Sequence, residues 1–268
     1  NVTGGNTTGG VVGWIESNVA LGAGSLVSVD PVSGSKLVTG ARWVGGLIGY
    51  SDSSSAFSGL SANAVVTATG SAGSVGGLIG RSNGAISNSS SSGSVSGGGD
   101  TGGLVGRAQG TGGLTNVSSS STVTSTGTGG SVGGLVGSYT NSGSLNTASA
   151  SGAVQGGSGS GSLTGGLVGA FSGGGSLVDG STATTSTVAG GGDVGGLVGQ
   201  ASGSGTAAIT GSTARGTVTG ASNVGRVGGL VGEFSMAGGW SNVTAEGAVS
   251  GGQSTGGLAG YYNSNAAI

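Results

Sequence analysis

The chain has 268 residues, of which 71 are glycine, 14 are charged and one is proline, with no cysteine and no histidine. Charged residues make up 5%, against about 25% in an ordinary soluble domain. Disulfides, cysteine nucleophiles, histidine bases, zinc centres and haem ligation by His or Cys are thereby excluded. Six basic residues and a net charge of −2 leave no electrostatic footprint for nucleic acid.

With 34% apolar residues and a slightly positive mean hydropathy, the chain lacks the low hydrophobicity and high charge of a disordered polymer. No apolar run approaches the roughly 18 residues of a membrane helix, so no membrane span is expected. The opening Asn1-Val2-Thr3-Gly4-Gly5 has neither the basic nor the apolar stretch of a secretory leader. A chain already processed, or cut from a longer protein, is expected.

The dominant signal is a repeat. A Gly-Gly-aliphatic-aliphatic-Gly block begins at Gly9, Gly45, Gly76, Gly102, Gly133, Gly165, Gly195, Gly228 and Gly256, with alanine as the second aliphatic in the last copy. Successive copies lie 36, 31, 26, 31, 32, 30, 33 and 28 residues apart. After each block comes a lone large apolar residue: Leu26, Phe57, Ile86, Leu114, Leu145, Leu177, Ile209, Trp240. A third centre follows, an aliphatic near a glycine: Leu37, Val66, Val95, Val123, Val154, Val188, Val218, Val249.

Around these centres the residues alternate with period two, as in Ser94-Val95-Ser96 and Thr217-Val218-Thr219, with Gly, Ser and Asn between them. That is the signature of short strands joined by turns. Helix is disfavoured by roughly 1 kcal/mol for each glycine. The expectation is an all-β fold: a β-solenoid of about nine coils of about 31 residues, with three short strands per coil. Residues 1–40 read as an irregular first coil with the role of an N-terminal cap, since they hold the only proline and the only lysine; residues 41–268 read as the regular repeat solenoid.

Gly76-Gly77-Leu78-Ile79-Gly80, Gly84-Ala85-Ile86-Ser87-Asn88-Ser89 and Gly93-Ser94-Val95-Ser96-Gly97 together resemble the GLUG motif of bacterial surface and secreted repeat proteins. Trp240-Ser241-Asn242 with Gly247-Ala248-Val249-Ser250-Gly251 is a second good copy, and the resemblance covers roughly residues 41–268. It implies β-solenoid architecture, an extracellular or cell-surface location and adhesin-like proteins, with no catalytic residues.

On this reading Leu47, Leu78, Leu104, Leu135, Leu167, Leu197, Leu230 and Leu258 form a structural ladder, and second-block and third-block residues point inward together. The glycine block is apolar on both faces, and two explanations compete. One is a bulge or corner at glycine that turns both aliphatics inward. The other is a strand covered on both sides, which would make Val44, Ile48, Val75, Ile79, Val132, Val136, Val194, Val198, Val227 and Val231 a face for lateral assembly.

Chemistry is sparse. A Ser–Lys dyad has only Lys36 to draw on. Asp100 and Asp193 share a register two residues before a glycine pair, but two units separate them, which argues against a glycosidase pair. The Gly-Gly-Gly-Asp runs at 97–100 and 190–193 read as tight turns rather than calcium loops. Arg81 and Arg107 occupy equivalent places in adjacent units, where an anionic partner competes with simple solvation. Sequons at Asn1, Asn6, Asn88, Asn116 and Asn242 compete with an Asn ladder inside the solenoid, which is favoured for the last three. Third-block flanks carry Thr too irregularly for a regular ice-binding array.

The expected function is non-enzymatic: an extracellular structural or adhesive element, self-associating into a fibre or forming an adhesin stalk. Its partners would be copies of itself, head to tail or side by side, and a surface glycan or host or cell-surface molecule; no cofactor or metal is expected. The alternatives are a carbohydrate-binding or carbohydrate-cleaving solenoid and an ice-binding protein.

Overall fold

The computed structural model describes residues 1–16, 19, 36–71, 73–178, 182–184, 187–202 and 207–265. Among them every regular element is a strand, stacked in parallel on the equivalent strand of the next repeat. Leu26 and the proline, Pro31, which the sequence analysis used, lie outside the described residues.

The fold is a β-solenoid. One strand from each glycine block, from Val12–Ile15 to Ala259–Tyr262, enters a single nine-stranded parallel sheet. Nine rungs bound eight intervals, and the first interval runs through residues outside the description. About seven turns are therefore described, against the nine coils expected.

Each glycine block is two strands rather than one. In the third copy Ser74–Gly76 ends at a corner over Gly77-Leu78, and Ile79–Ser82 leaves it. A full coil thus holds up to four strand segments, as in Gly130–Gly133, Val136–Tyr139, Leu145–Ala150 and Val154–Gln155.

Hydrogen bonding explains the corner. The Leu78 carbonyl accepts the N–H of Leu47 at 2.9 Å and also that of Ile48 at 3.1 Å, both from the preceding rung. The carbonyl of Leu135 accepts from Leu104 (2.8 Å) and Val105 (3.0 Å), and those of Leu47, Leu104, Leu167, Leu197, Leu230 and Leu258 do likewise. Two successive donors on one acceptor break the period-two alternation, as in a β-bulge. Leucine and the next aliphatic then both face the interior: Leu47 with Ile48, Leu78 with Ile79 and Leu104 with Val105 are fully buried in one cluster. Glycine is required because a Cβ on Gly76 would collide with the Ile79 carbonyl across the corner.

The interior has two compartments, which corrects the expectation that second-block and third-block residues share one. The larger holds the block aliphatics with Phe57, Ile86, Leu114, Leu145, Leu177 and Ile209. The smaller holds third-block valines against the residue preceding the glycine pair: Val38, Val66 and Val95 with Val44 and Val75, then Val123, Val154, Val188 and Val218 with Val132, Val194 and Val227. Thr101 stands in that column between Val75 and Val132.

Between the compartments lies a waist. Ala62, Ser91, Ser119, Ala150, Ala183, Ala214 and Ala245 stack in register on one wall. The second glycine of each block forms the other: a Cβ on Gly134 would lie 2.9 Å from the Cβ of Ala150, and one on Gly196 would lie 3.0 Å from that of Ala214. Only small side chains let the walls approach this closely.

The third-block register of the first coil also differs from expectation. Val38, not Leu37, aligns with Val66 and is buried, whereas Leu37 is 37% exposed. Two adjacent aliphatics leave alternation undecided. Glycine two residues after the core valine, as at Gly40, Gly97, Gly190 and Gly220, marks the correct one.

Two residues beyond six of the second-block side chains the backbone turns left-handed, at Gly59 (φ 70°), Asn88 (49°), Asn116 (54°), Thr147 (47°), Gly211 (57°) and Asn242 (52°). Asparagine and glycine tolerate this region; a β-branched residue does not. Thr147 is exposed, so its side chain adds no core packing to offset the strain. Thr147→Asn is expected to raise stability by about 1 kcal/mol, measured by urea unfolding. An unchanged or lowered midpoint would contradict the strain.

Candidate binding face at the glycine-block corner

The two glycine-block strands carry outward positions that the sequence alone does not bring together. In the strand entering the corner, one column reads Thr7, Trp43, Ser74, Asp100, Ser131, Leu163 and Asp193 from rung to rung. In the strand leaving it, a second column reads Trp14, Tyr50, Arg81, Arg107, Ser138, Ala170, Gln200, Glu233 and Tyr261. With Arg226, which contacts both columns late in the chain, they hold six of the chain's 14 charged side chains. Registry thus gathers nearly half of the charged side chains of a nearly uncharged chain onto one strip.

The strip has two unlike ends. At the second to fourth rungs, Arg42, Trp43, Ser74, Arg81, Asp100 and Arg107 line a groove of about 300 Å³. Trp43 packs on Tyr50 with ring centroids 4.8 Å apart, and Trp14, 56% exposed, lies 5.7 Å from Tyr50. The Arg81 guanidinium sits over both Tyr50 (5.3 Å) and Trp43 (5.7 Å), and Arg42 lies 4.6 Å from the Trp43 ring. Such cation–π contacts fix a guanidinium without neutralising it. The Tyr50 hydroxyl donates to Asp52 at 2.7 Å, which also accepts from Asn83.

Asp100 is the groove's carboxylate. Burial raises its pKa above the ordinary range, with Arg107, 3.6 Å away, and hydrogen bonds from Ser131 pulling the other way.

At the far end the charges are matched against one another. Arg226 lies 3.6 Å from Asp193, pairs with Glu233 and covers the Tyr261 ring at 4.5 Å; Gln200 donates to Glu233 at 2.8 Å. Burial pushes the Asp193 carboxyl up to about 6, and Glu233 adds to the shift against the opposing pull of Arg226.

The other residues singled out from sequence fall as follows. The block leucines lie in the corner, buried except for Leu258 in the last rung, which is 38% exposed. Val44, Ile48, Val75, Ile79, Val132, Val136, Val194, Val198, Val227 and Val231 are fully buried inside the chain's own two compartments and present no lateral face. The corner, not a second protein layer, accounts for their apolarity.

Asp100 and Asp193 stand three rungs apart in one column, about 14 Å at the spacing of paired strands. Each instead ties its rung to the next by accepting a backbone N–H, of Ser131 and Arg226 respectively. Asn88, Asn116 and Asn242 are exposed rather than internal. The first two pair on the outer surface, Asn116 donating to Asn88 at 2.7 Å. Lys36 is exposed. The flanks of the third-block valines mix residues along the rungs, Thr124 being followed by Gln155 and Ala189.

Comparison with family models, with curated proteins and with solved structures gave no match.

Asp193 gives the strip a pH signature. Between about pH 4 and 6 the folded protein keeps its proton while an unfolded chain, with an ordinary carboxyl near 3.9, has lost it. Folding then binds protons, so stability falls as pH rises through this window and is flat above it. Thermal midpoints followed from pH 4 to 7 are expected to decline, and Asp193→Asn to flatten most of the decline. A midpoint that rises over that range in the unmodified protein would contradict the assignment.

Proposed function

We propose that the chain is a non-enzymatic structural or adhesive element working outside the cell, as part of a fibre or of an adhesin stalk. The observation that carries this reading is the continuous nine-stranded ladder. Each coil is bound to the next by the paired donors at the corner and by stacked apolar columns, so load along the axis is shared by every rung. Nine rungs give a shaft of roughly 40 Å. Low charge suits a molecule that ends in a solid assembly. The resemblance of residues 41–268 to GLUG-motif repeats supports placing it at a bacterial surface.

Self-association belongs to the same proposal, by stacking along the axis. The last rung leaves Leu258 partly exposed, and a further coil, whether of this chain or of a second copy, would cover it as Leu258 covers Leu230. Burial of the block valines argues against the side-by-side route.

The carbohydrate-cleaving alternative is less well supported. Its best carboxylate pair, Asp193 and Glu233, is bridged by Arg226, which ties both carboxylates up in ion pairs.

Negative-stain microscopy of the purified protein over a range of concentrations is expected to show rods one solenoid wide, lengthening into filaments if the coils stack. Incubation with bacterial and plant polysaccharides is expected to release no reducing ends. Release of sugar that Glu233→Gln abolishes would overturn the proposal.

A further inference from the structure

We infer that the groove at the second to fourth rungs, with Trp14 on the rung before it, is a binding site for an acidic polysaccharide, one bearing uronate carboxylates or sulfates, laid along the solenoid axis. This deepens the adhesive reading but rests on a surface contained within one chain, so it does not require self-assembly.

Charge gives the sign of the ligand. Three guanidiniums, Arg42, Arg81 and Arg107, face one carboxylate, Asp100, in a chain whose net charge is −2. This local excess runs against the whole molecule. At the far end of the strip the single arginine is bound to two carboxylates, so the same positions there are neutralised internally.

Among the described residues, neither Arg42 nor Arg81 makes an ion pair, and the Nε–H groups of Arg81 and Arg107 are shut off from solvent without an acceptor. Buried donors without partners are rare in folded chains, so the Arg81 and Arg107 guanidiniums are incompletely satisfied within the chain. Arg42 and Arg81 sit over aromatic rings rather than against carboxylates, which leaves N–H groups for a carboxylate or sulfate.

The order of residues along the axis gives the class of ligand. Trp14 stands on the first rung, Trp43 and Tyr50 on the second, Arg81 on the third and Arg107 on the fourth. Rungs repeat every 4.8 Å or so, close to the advance of one sugar ring along an extended chain. A polymer lying along the axis would therefore meet an exposed indole first, an aromatic pair on the second rung and a guanidinium on each of the third and fourth. Sugar rings offer C–H faces that pack on indole, and their acidic groups project from the ring edge. A polyanion without rings would use the arginines and ignore Trp14. The groove is at the small end of the range for ligand sites, as suits a few residues of a longer chain held on an open surface.

Affinity electrophoresis or calorimetry at low salt tests this with polygalacturonate, heparin, neutral dextran and inorganic polyphosphate as probes. Polygalacturonate and heparin are expected to bind, to weaken with added salt as exposed charge pairs do, and to lose at least about ten-fold in affinity with Arg81→Gln/Arg107→Gln. Trp14→Ala, a change at an exposed ring, is expected to cost both ligands several-fold, and Arg215→Gln, outside the strip, to change nothing. Dextran is expected not to bind, and polyphosphate to bind at least about ten-fold more weakly than the glycans.

Polyphosphate bound as tightly as the glycans, with Trp14→Ala silent, would overturn the inference in favour of an unspecific polyanion site. So would an unchanged affinity in the double arginine variant with its thermal midpoint intact, or no binding of any acidic glycan. Rods in the microscope without glycan affinity would overturn this inference and leave the structural reading standing.

Discussion

A leucine carbonyl that accepts two consecutive backbone N–H groups from the rung before it is the contact on which the rest of the solenoid depends. It recurs at every described interval between glycine blocks, from Leu47 to Leu258. Its geometric effect is to cancel one step of the strand's alternation, so that two neighbouring aliphatics face the same interior. Its steric cost is a corner too tight for side chains, which explains why glycine flanks it. The block is a backbone device first and an apolar segment second. Because the donors and acceptor belong to different coils, the device also stacks the coils, and one local constraint sets both the cross-section and the long axis.

From the corner follows a cross-section with two small compartments pinched at a glycine–alanine waist. Pinching it brings opposite walls into contact at Gly134 and Ala150 and their equivalents, and leaves two compartments that leucine and valine can each fill. The same corner turns two strands outward side by side, and their outer positions form the strip. A side chain there is aligned with its counterparts at the strand spacing whatever lies between them in sequence. Arg81 and Arg107, or Trp14 and Tyr50, become neighbours through registry alone.

The glycine spacing made the stacked coils legible, because a period near 31 residues with short alternating segments has few other solutions. The burial of Ile86, Leu114 or Val95 followed from alternation. What alternation cannot say is which of two cavities a residue enters, so the valine compartment was hidden until Val75 and Val95 were seen to touch. Nor can it choose between Leu37 and Val38, both aliphatic; the glycine two residues on held that information. The left-handed turn was written in the exchange of Asn88 and Asn116 for Gly59 and Gly211, a substitution pattern with one physical cause, but asparagine's amide suggested an internal ladder instead. The strip was least legible, since Trp43, Ser74 and Asp100 share no chemistry and only pairing shows that they share a place.

Native-state hydrogen exchange tests the central contact most directly. If the leucine carbonyl ties the coils together, the amides of Leu104, Val105, Leu135 and Val136 exchange only through global unfolding. They should then be as slow as any in the chain, both members of each pair alike. Exchange of these amides at the rate of turn residues such as Gly127 and Thr128, while Leu114–Ser119 stays protected, would contradict the account.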